Sequence, residues 1–105
     1  MSSKISIVIT TTDNPEIAKN IASYLIENKL AACVQMDEVL SFFRWEGKIQ
    51  QAKEFRLMIK TLSDKYSEVE KAILKHHNYS LPQIIKLDVA SGFDGYLNWV
   101  KDEIE

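Results

Sequence analysis

Apolar and polar positions recur along the chain with two different periods, and the period changes from one segment to the next. Residues 5–11 are rich in β-branched side chains, which is typical of a strand. Apolar side chains then recur at Ile17, Ile21 and Leu25, the i, i+4, i+8 spacing of one helix face, and Pro15 suits the first position of that helix. The pattern therefore predicts a strand followed by a helix that lies on a sheet.

The longest feature of the pattern is a hairpin that extends from Cys33 to Thr61. Its two β-rich arms flank Glu46-Gly47, where Gly47 supplies the positive φ angle that a two-residue turn requires. Each arm exceeds ten residues, and ten residues at about 3.3 Å each span roughly 33 Å, so we expect the tip to project. The apolar side chains near the tip need cover, which predicts a role in assembly; they are Phe42, Phe43 and Trp45.

The rest of the chain predicts a second helix, a fourth strand and a final helix. Ser63 is expected to cap the second helix, and Pro82 ends the loop that follows it. Residues 83–89 have the composition of a strand, and apolar positions at helical spacing indicate a last helix over residues 93–104.

The order strand, helix, strand, strand, helix, strand corresponds to two split βαβ units. We therefore expect an α+β, ferredoxin-like fold with a four-stranded antiparallel sheet and both main helices on one face. A long hairpin between the second and third strands and a C-terminal helix complete this architecture. The length of 105 residues suits a single domain over residues 1–105.

Composition narrows the possible partners. Apolar residues make up 46% of the chain, which excludes a disordered chain. The net charge is −2 and two of the basic residues are arginine, so we expect no nucleic-acid partner. The single cysteine excludes an intrachain disulfide, and no apolar run approaches the roughly 20 residues of a membrane span. We therefore expect a cytoplasmic protein with no membrane partner.

Five groups of residues resemble the CutA family in identity and spacing. They are Leu30-Ala31-Ala32-Cys33-Val34, the stretch from Phe43 to Ile49, Ile59-Lys60-Thr61, the set His77, Tyr79 and Pro82, and Tyr96-Leu97-Asn98-Trp99. Together they cover almost the whole chain. The combination is specific, whereas each group alone is a weak signal.

The resemblance implies a compact cytosolic homotrimer whose long hairpins pack between subunits. CutA proteins are named for tolerance to divalent cations, copper above all, and some of them bind copper. Their shape is similar to that of the PII signalling proteins, which makes a sensor or scaffold for a small ligand or a partner protein the alternative function. The family has no established enzymatic activity, so we do not expect an enzyme.

The chain departs from the family pattern at several positions. The family loop usually reads His-Pro-Tyr-x-x-Pro-Glu, whereas here Asn78 replaces the proline and Gln83 replaces the acidic residue. Phe43 stands where the family usually has a tyrosine. Thr10 aligns with a cysteine that serves some members as a copper ligand. These departures weaken the expectation of a copper site.

The candidate metal ligands are His76, His77 and Cys33, because imidazole and thiolate suit copper. Adjacent histidines at a helix end point in different directions, so a site shared between subunits is easier to form than a site within one. The alternative is structural: His76 completes the apolar face of its helix, His77 interacts with the helix C-terminus, and Cys33 is a small buried side chain.

A second group of candidates is predicted to line a cleft or a subunit interface. It contains Trp45, Lys60, Tyr79 and Glu54, with Arg44 beside them. Large aromatic side chains with one polar group and arginine are enriched at interfaces, which favours anchoring over catalysis.

Two other functions share the predicted topology and lack their motifs here. An acylphosphatase-like enzyme needs a glycine-containing phosphate loop with an arginine after the first strand, and residues 10–14 have neither. An RNA-recognition domain needs a basic and aromatic signature on a central strand, which residues 55–59 do not provide. A metal-tolerance protein and a trimeric sensor or scaffold are the functions that remain.

Overall fold

The computed structural model describes residues 4–105. Its elements are β1 (Ile5–Thr12), α1 (Pro15–Glu27), β2 (Cys33–Trp45), β3 (Lys48–Leu62), α2 (Tyr66–His76), β4 (Ile84–Asp88) and α3 (Asp94–Ile104). The strands form one antiparallel sheet in the order β2-β3-β1-β4. The predicted ferredoxin-like arrangement is confirmed.

The two main helices, α1 and α2, begin in different ways. Asn14 caps α1, since its side-chain oxygen accepts hydrogen bonds from the backbone N–H groups of Glu16 and Ile17. The predicted cap at Ser63 is wrong, because residues 63–65 form a 3₁₀ turn before α2. The backbone N–H of Ser63 donates to the carbonyl oxygen of Lys4, which extends the β1–β3 pairing. The Ser63 hydroxyl is directed to Asp88 of β4 instead of to the start of α2.

A tight turn joins β2 to β3 and sets their register. Glu46 and Gly47 have φ angles of 50° and 77°. Positive φ at both central residues is the geometry of a type I′ turn, whose twist matches that of a hairpin. The turn places Trp45 opposite Lys48 and, at the far end of the hairpin, Cys33 opposite Lys60.

The main core lies between one face of the sheet and the helices α1 and α2. Val8, Leu57 and Ile59 project from the sheet into this core and are completely buried. The expectation that both main helices share one face is confirmed. A smaller cluster joins α3 to one end of the opposite face, and it contains Ile5, Leu62, Val100 and Ile104.

Most of that opposite face is uncovered, and we call it the open face. Side chains alternate between the two faces of a strand, so the neighbours of the core residues project here. Ile7, Ile9 and Met58 are half-buried on it, and Ile85 and Leu87 are exposed. A sheet with apolar residues on both faces needs a second covering layer.

The hairpin extends beyond the other strands. β1 pairs with β3 from Phe55 to Leu62, so Val39–Trp45 and Lys48–Glu54 pair with each other and with no other strand of the described chain. We call these fourteen residues and their turn the overhang. Seven residues of strand make an overhang of roughly 23 Å, in a molecule measuring 47 × 26 × 21 Å. The predicted projection of the hairpin tip is therefore present.

No helix within residues 4–105 combines the length and the apolar character needed to cross a membrane.

Candidate functional site

The loop between α2 and β4 is fastened to the end of β1 by His77. Its Nε2 donates to the carbonyl oxygen of Thr11 at 2.8 Å, and its Nδ1 accepts from the backbone N–H of Tyr79 at 3.0 Å. Those two bonds require the tautomer with its proton on Nε2. Both ring nitrogens of His77 are therefore engaged within the chain.

Asn78 and Gln83, which depart from the family pattern, strengthen the same attachment. The hydroxyl of Thr12 donates to Asn78 Oδ1 at 2.6 Å, and Asn78 Nδ2 donates to Asp13 at 2.8 Å. The hydroxyl of Thr11 lies 3.5 Å from Gln83 Oε1. The amide groups thus hold the loop to the strand end, a role that a proline could not take through its side chain.

Tyr79 and Glu54 form a buried pair where the loop meets the overhang. The Tyr79 hydroxyl donates to Glu54 Oε2 at 2.8 Å, and Glu54 is only 7% exposed. Burial, followed by the bond to Glu54 and its charge, raises the pKa of Tyr79 well above the ordinary value. The phenol therefore remains a donor at neutral pH, and the carboxylate is the negative partner.

This pair forms one wall of a cavity of about 780 Å³, which we call the neck pocket. Aromatic side chains from the overhang and the loop line it: Phe42, Phe43, Trp45 and Tyr79. The polar lining includes Ser41, Gln50, Glu54 and Gln83. A volume of several hundred cubic ångströms that combines aromatic walls with polar groups is typical of a small-molecule site.

The predicted cleft residues divide between two places. Trp45, Tyr79 and Glu54 line the neck pocket, whereas Lys60 and Arg44 do not. The Nζ of Lys60 donates to the hydroxyl of Tyr96 at 3.0 Å and lies 5.0 Å from the centre of its ring. This bond raises the pKa of Lys60. Within one chain these residues therefore do not share a single cleft, and their alternative role at a subunit interface stays a prediction.

Lys60 and Arg44 are separated from the pocket by strand geometry. Lys60 lies opposite Cys33 at the base of the hairpin, six residues along β3 from Glu54 and so roughly 20 Å away. Phe43 and Trp45 project on the side of the open face. Arg44 lies between them in β2 and therefore projects from the other face of the sheet.

The three predicted metal ligands also lie apart. His76 belongs to α2, where its Nδ1 donates to the carbonyl oxygen of Ala72 at 2.8 Å and its ring packs 4.7 Å from that of Tyr24. Its Nε2 is the remaining nitrogen for a ligand bond. Cys33 is half-buried on the open face, so the sheet separates it from His76.

The donor set does not fit a metal site within one chain. Within residues 4–105, no three His, Cys, Asp or Glu side chains are close enough to hold an ion. Thr10 offers no replacement, because it is buried in the core with a hydroxyl that has no hydrogen-bond partner.

Some pocket residues escaped the sequence analysis although a signal for them existed. A two-residue turn at Glu46-Gly47 fixes every pair in the hairpin, including Phe43 with Gln50 and Val39 with Glu54. Alternation then assigns Ser41, Phe43, Gln50 and Glu54 to one face. The approach of Tyr79 to Glu54 had no such signal, because it depends on where a loop folds in space.

These features define a class: a ferredoxin-like domain with an overlong central hairpin and an uncovered sheet face. The family described as CutA1 divalent ion tolerance protein matches residues 6–103. The chain belongs to the CutA family.

Sequence relatives support this assignment over the whole domain. The divalent-cation tolerance protein CutA of Archaeoglobus fulgidus is 39% identical over 98 residues, which cover 93% of this chain and 96% of that protein. The CutA homolog of Xenopus laevis is 38% identical over 103 residues, which cover 97% of this chain and 68% of that protein.

Solved structures agree in fold. The structure of a protein from Archaeoglobus fulgidus, described as the periplasmic divalent cation tolerance protein CutA, has a TM-score of 0.93 and 38% identity, and the match covers 96% of this chain and 99% of that one. The divalent ion tolerance protein CutA1 of Ehrlichia chaffeensis has a TM-score of 0.92 and 32% identity, with 100% and 99% covered.

Proposed function

We propose that this chain forms a homotrimer that contributes to tolerance of divalent cations, copper in particular, by binding and not by catalysis. The observation that carries the assembly is the open face, where Ile85 and Leu87 are 45% and 50% exposed. Contiguous exposed apolar surface of this kind marks an interaction site. The overhang extends the same face with Phe43 and Trp45, and the resemblance to CutA proteins supplies the number of subunits.

The assembly is tested by measuring mass in solution with light scattering. We expect about 36 kDa, three times the 12.1 kDa of one chain. Replacing Ile85 and Leu87 by glutamate should reduce the mass to that of one chain, because buried charges are costly at an interface.

The matched control replaces Ile26 and Leu74 by glutamate. They are one isoleucine and one leucine that are exposed on α1 and α2, on the other side of the sheet. This control should keep the full mass. A wild-type monomer, or an unchanged mass after substitution of Ile85 and Leu87, would contradict the proposed use of the open face.

Copper binding is proposed for the assembled protein, since the ligands of one chain do not meet. The Nε2 atom of His76 is the histidine nitrogen that the fold leaves for a metal, whereas His77 would have to give up a bond. Cys33 lies on the open face, where copies of the chain would bring their thiols towards one another. Imidazole and thiolate are both suitable copper ligands.

A copper titration of the trimer, followed by calorimetry and mass measurement, tests this proposal. Because His76 and Cys33 lie on opposite sides of the sheet, they would belong to separate sites, so His76→Ala and Cys33→Ala should each reduce the stoichiometry. His77→Ala serves as the comparison because its nitrogens are occupied. Copper that binds no better than to an exposed histidine would reject the metal function.

The second candidate function is a sensor or scaffold that binds a small ligand. The neck pocket favours it, because the pocket joins the overhang to the loop and so links a ligand to the surface proposed for assembly. A ligand that contacts both elements would change the geometry or stability of the trimer.

The proposed location is the cytoplasm. The support is the lone cysteine, a free thiol that is compatible with a reducing compartment. Cell fractionation with antibodies against the chain tests this location. Recovery in a periplasmic fraction, the location given for the Archaeoglobus fulgidus protein, would overturn it.

A further inference from the structure

The neck pocket contains one negative charge with no matching positive charge. Glu54 is the single charged side chain among the residues that line the pocket. Within residues 4–105 it forms no salt bridge, and its hydrogen bond from Tyr79 uses one of about four acceptor positions on a carboxylate. The whole residue is only 7% exposed, and a buried carboxylate is unfavourable unless a cation or several donors compensate it.

The two basic residues next to Glu54 along β3 are paired with other carboxylates. Arg56 forms two bonds with Asp37, at 2.8 and 3.2 Å, and Lys53 lies 3.5 Å from Glu38. Asp13, behind the loop, adds a further negative charge near Tyr79. The pocket lining therefore carries one acidic side chain and no basic side chain.

The rest of the lining suits a cation with an apolar body. Phe43, Trp45 and Tyr79 present aromatic rings, whose faces attract an ammonium or guanidinium group. Gln50 and Ser41 add oxygen atoms that accept hydrogen bonds from such a group. A divalent metal ion fits less well, because it requires several charged oxygen ligands and the pocket offers one carboxylate.

We propose that the neck pocket binds a free organic cation, an ammonium or guanidinium compound whose charge pairs with Glu54 and whose apolar part lies against Trp45 and Phe43. This inference deepens the second candidate function and rests on it, because it names the class of ligand that the sensor or scaffold would take. It is independent of copper binding.

Phenethylamine is a suitable probe, because it joins one ammonium group to one aromatic ring. Its neutral N-acetyl derivative and the anion phenylacetate have the same ring. Calorimetric titration of the full chain at pH 7 should show phenethylamine binding once per chain. The neutral compound should bind at least tenfold more weakly, and the anion should not bind. Equal affinities for phenethylamine and its N-acetyl derivative would overturn the proposal.

Glu54→Gln is the decisive variant, since the amide oxygen can still accept the bond from Tyr79 while the charge is lost. It should weaken phenethylamine binding at least tenfold and leave binding of the N-acetyl derivative within twofold. Glu38→Gln removes an exposed charge from the same hairpin and should change neither. Unchanged phenethylamine binding in Glu54→Gln would reject the pairing.

A cationic side chain of a second copy is the competing source of the same charge. The variant with glutamate at positions 85 and 87 separates the two sources. Binding of phenethylamine by the wild-type trimer supports a free ligand. If the variant with glutamate at positions 85 and 87 binds phenethylamine and the wild-type trimer does not, another copy fills the pocket in the trimer. That result overturns the proposal.

Failure of the proposed function gives different results from failure of this inference. A wild-type monomer that still binds phenethylamine through Glu54 rejects the trimer and retains the pocket. A trimer that titrates with copper and ignores every organic cation retains the metal function and rejects the pocket. Copper titration of Glu54→Gln should match the wild type.

Discussion

The two halves of β3 have the same backbone pairing with β2 and very different environments. Leu57 lies in the half that also pairs with β1, and it is completely buried under α1 and α2. Ile49 lies in the overhang and is 74% exposed. Pairing with β2 is therefore not what makes one half of β3 buried and the other exposed. The difference comes from the layers that cover the sheet.

Within the described chain, the overhang lacks the supporting layers that cover the other half of β3. A two-stranded hairpin is marginally stable in water unless other strands or a helix support it. Cross-strand pairs help, and the bidentate bond of Arg56 to Asp37 stands at the root of the overhang. Under the proposed assembly, a second copy would cover the exposed apolar residues of the tip, and experiments can test this difference between the two halves of β3.

The largest expected effect is a loss of stability in Leu57→Ala. Truncating a fully buried leucine should lower the free energy of unfolding by about 2–5 kcal/mol. Ile49→Ala in the separated chain, with glutamate at positions 85 and 87, should cost less than about 0.5 kcal/mol. Urea denaturation at several protein concentrations measures both. A large loss at Ile49 in the separated chain would refute the contrast.

A smaller effect is expected at the turn. Gly47→Ala should cost about 1–2 kcal/mol, because an alanine at positive φ is strained, and open space around the position excludes a steric clash. The loss should appear as faster hydrogen exchange of overhang amides, with the amides of β1 unchanged, since the turn supports the overhang alone. Gly47→Asn is the control, because asparagine tolerates this conformation. Equal acceleration of exchange in β1 would show that the two halves unfold together.

The smallest effect concerns pH and the junction between the two regions. The pKa of Tyr79 is raised in the folded chain and returns to about 10 on unfolding. The protonated phenol therefore favours folding below pH 10, and this contribution is lost as the pH rises above 10. Denaturation at pH 8 and pH 11 should show a smaller loss in Tyr79→Phe than in the wild type.

Absorbance of tyrosinate provides a second measurement of the same group. The pKa of Tyr66 is also raised, chiefly by its hydrogen bond to Glu70, so two tyrosines should titrate late in the wild type. Glu54→Gln should bring the titration of Tyr79 to lower pH, because a negative charge is removed. Tyr66→Phe removes the other perturbed tyrosine and should retain the late titration that responds to Glu54→Gln. If it disappeared there, Tyr79 would not be the perturbed residue.

Several parts of the fold follow from local chemistry and could be predicted. Asn14-Pro15 starts α1 because a side-chain oxygen and a preset φ angle need no tertiary contact. Glu46-Gly47 fixes the register of the hairpin for the same reason. The cap at Ser63 failed because its backbone joined the β1–β3 pairing, a contact with a residue far away in sequence.

The candidate site divides along the same line. Trp45 and Glu54 were predicted as cleft residues, and their common face follows from the register. Lys60 was grouped with Trp45 and Glu54, but it lies six residues along β3 from Glu54 and does not reach the neck pocket. His76 and His77 are adjacent in sequence, but one ring faces α1 and the other fastens a loop to β1.

The sequence by itself determined the order of the elements, the length of the hairpin and membership of the ferredoxin-like class, because periodicity and turn residues act over a few positions. Tertiary structure alone decided that Tyr79 meets Glu54, that the metal candidates stay apart and that one face of the sheet lacks cover. These results depend on which distant segments come into contact, and no local pattern encodes that choice. The overhang depends on both kinds of information. The sequence predicts the length of the hairpin, whereas the structure shows that β1 ends at Thr12 and so leaves the tip without a third strand.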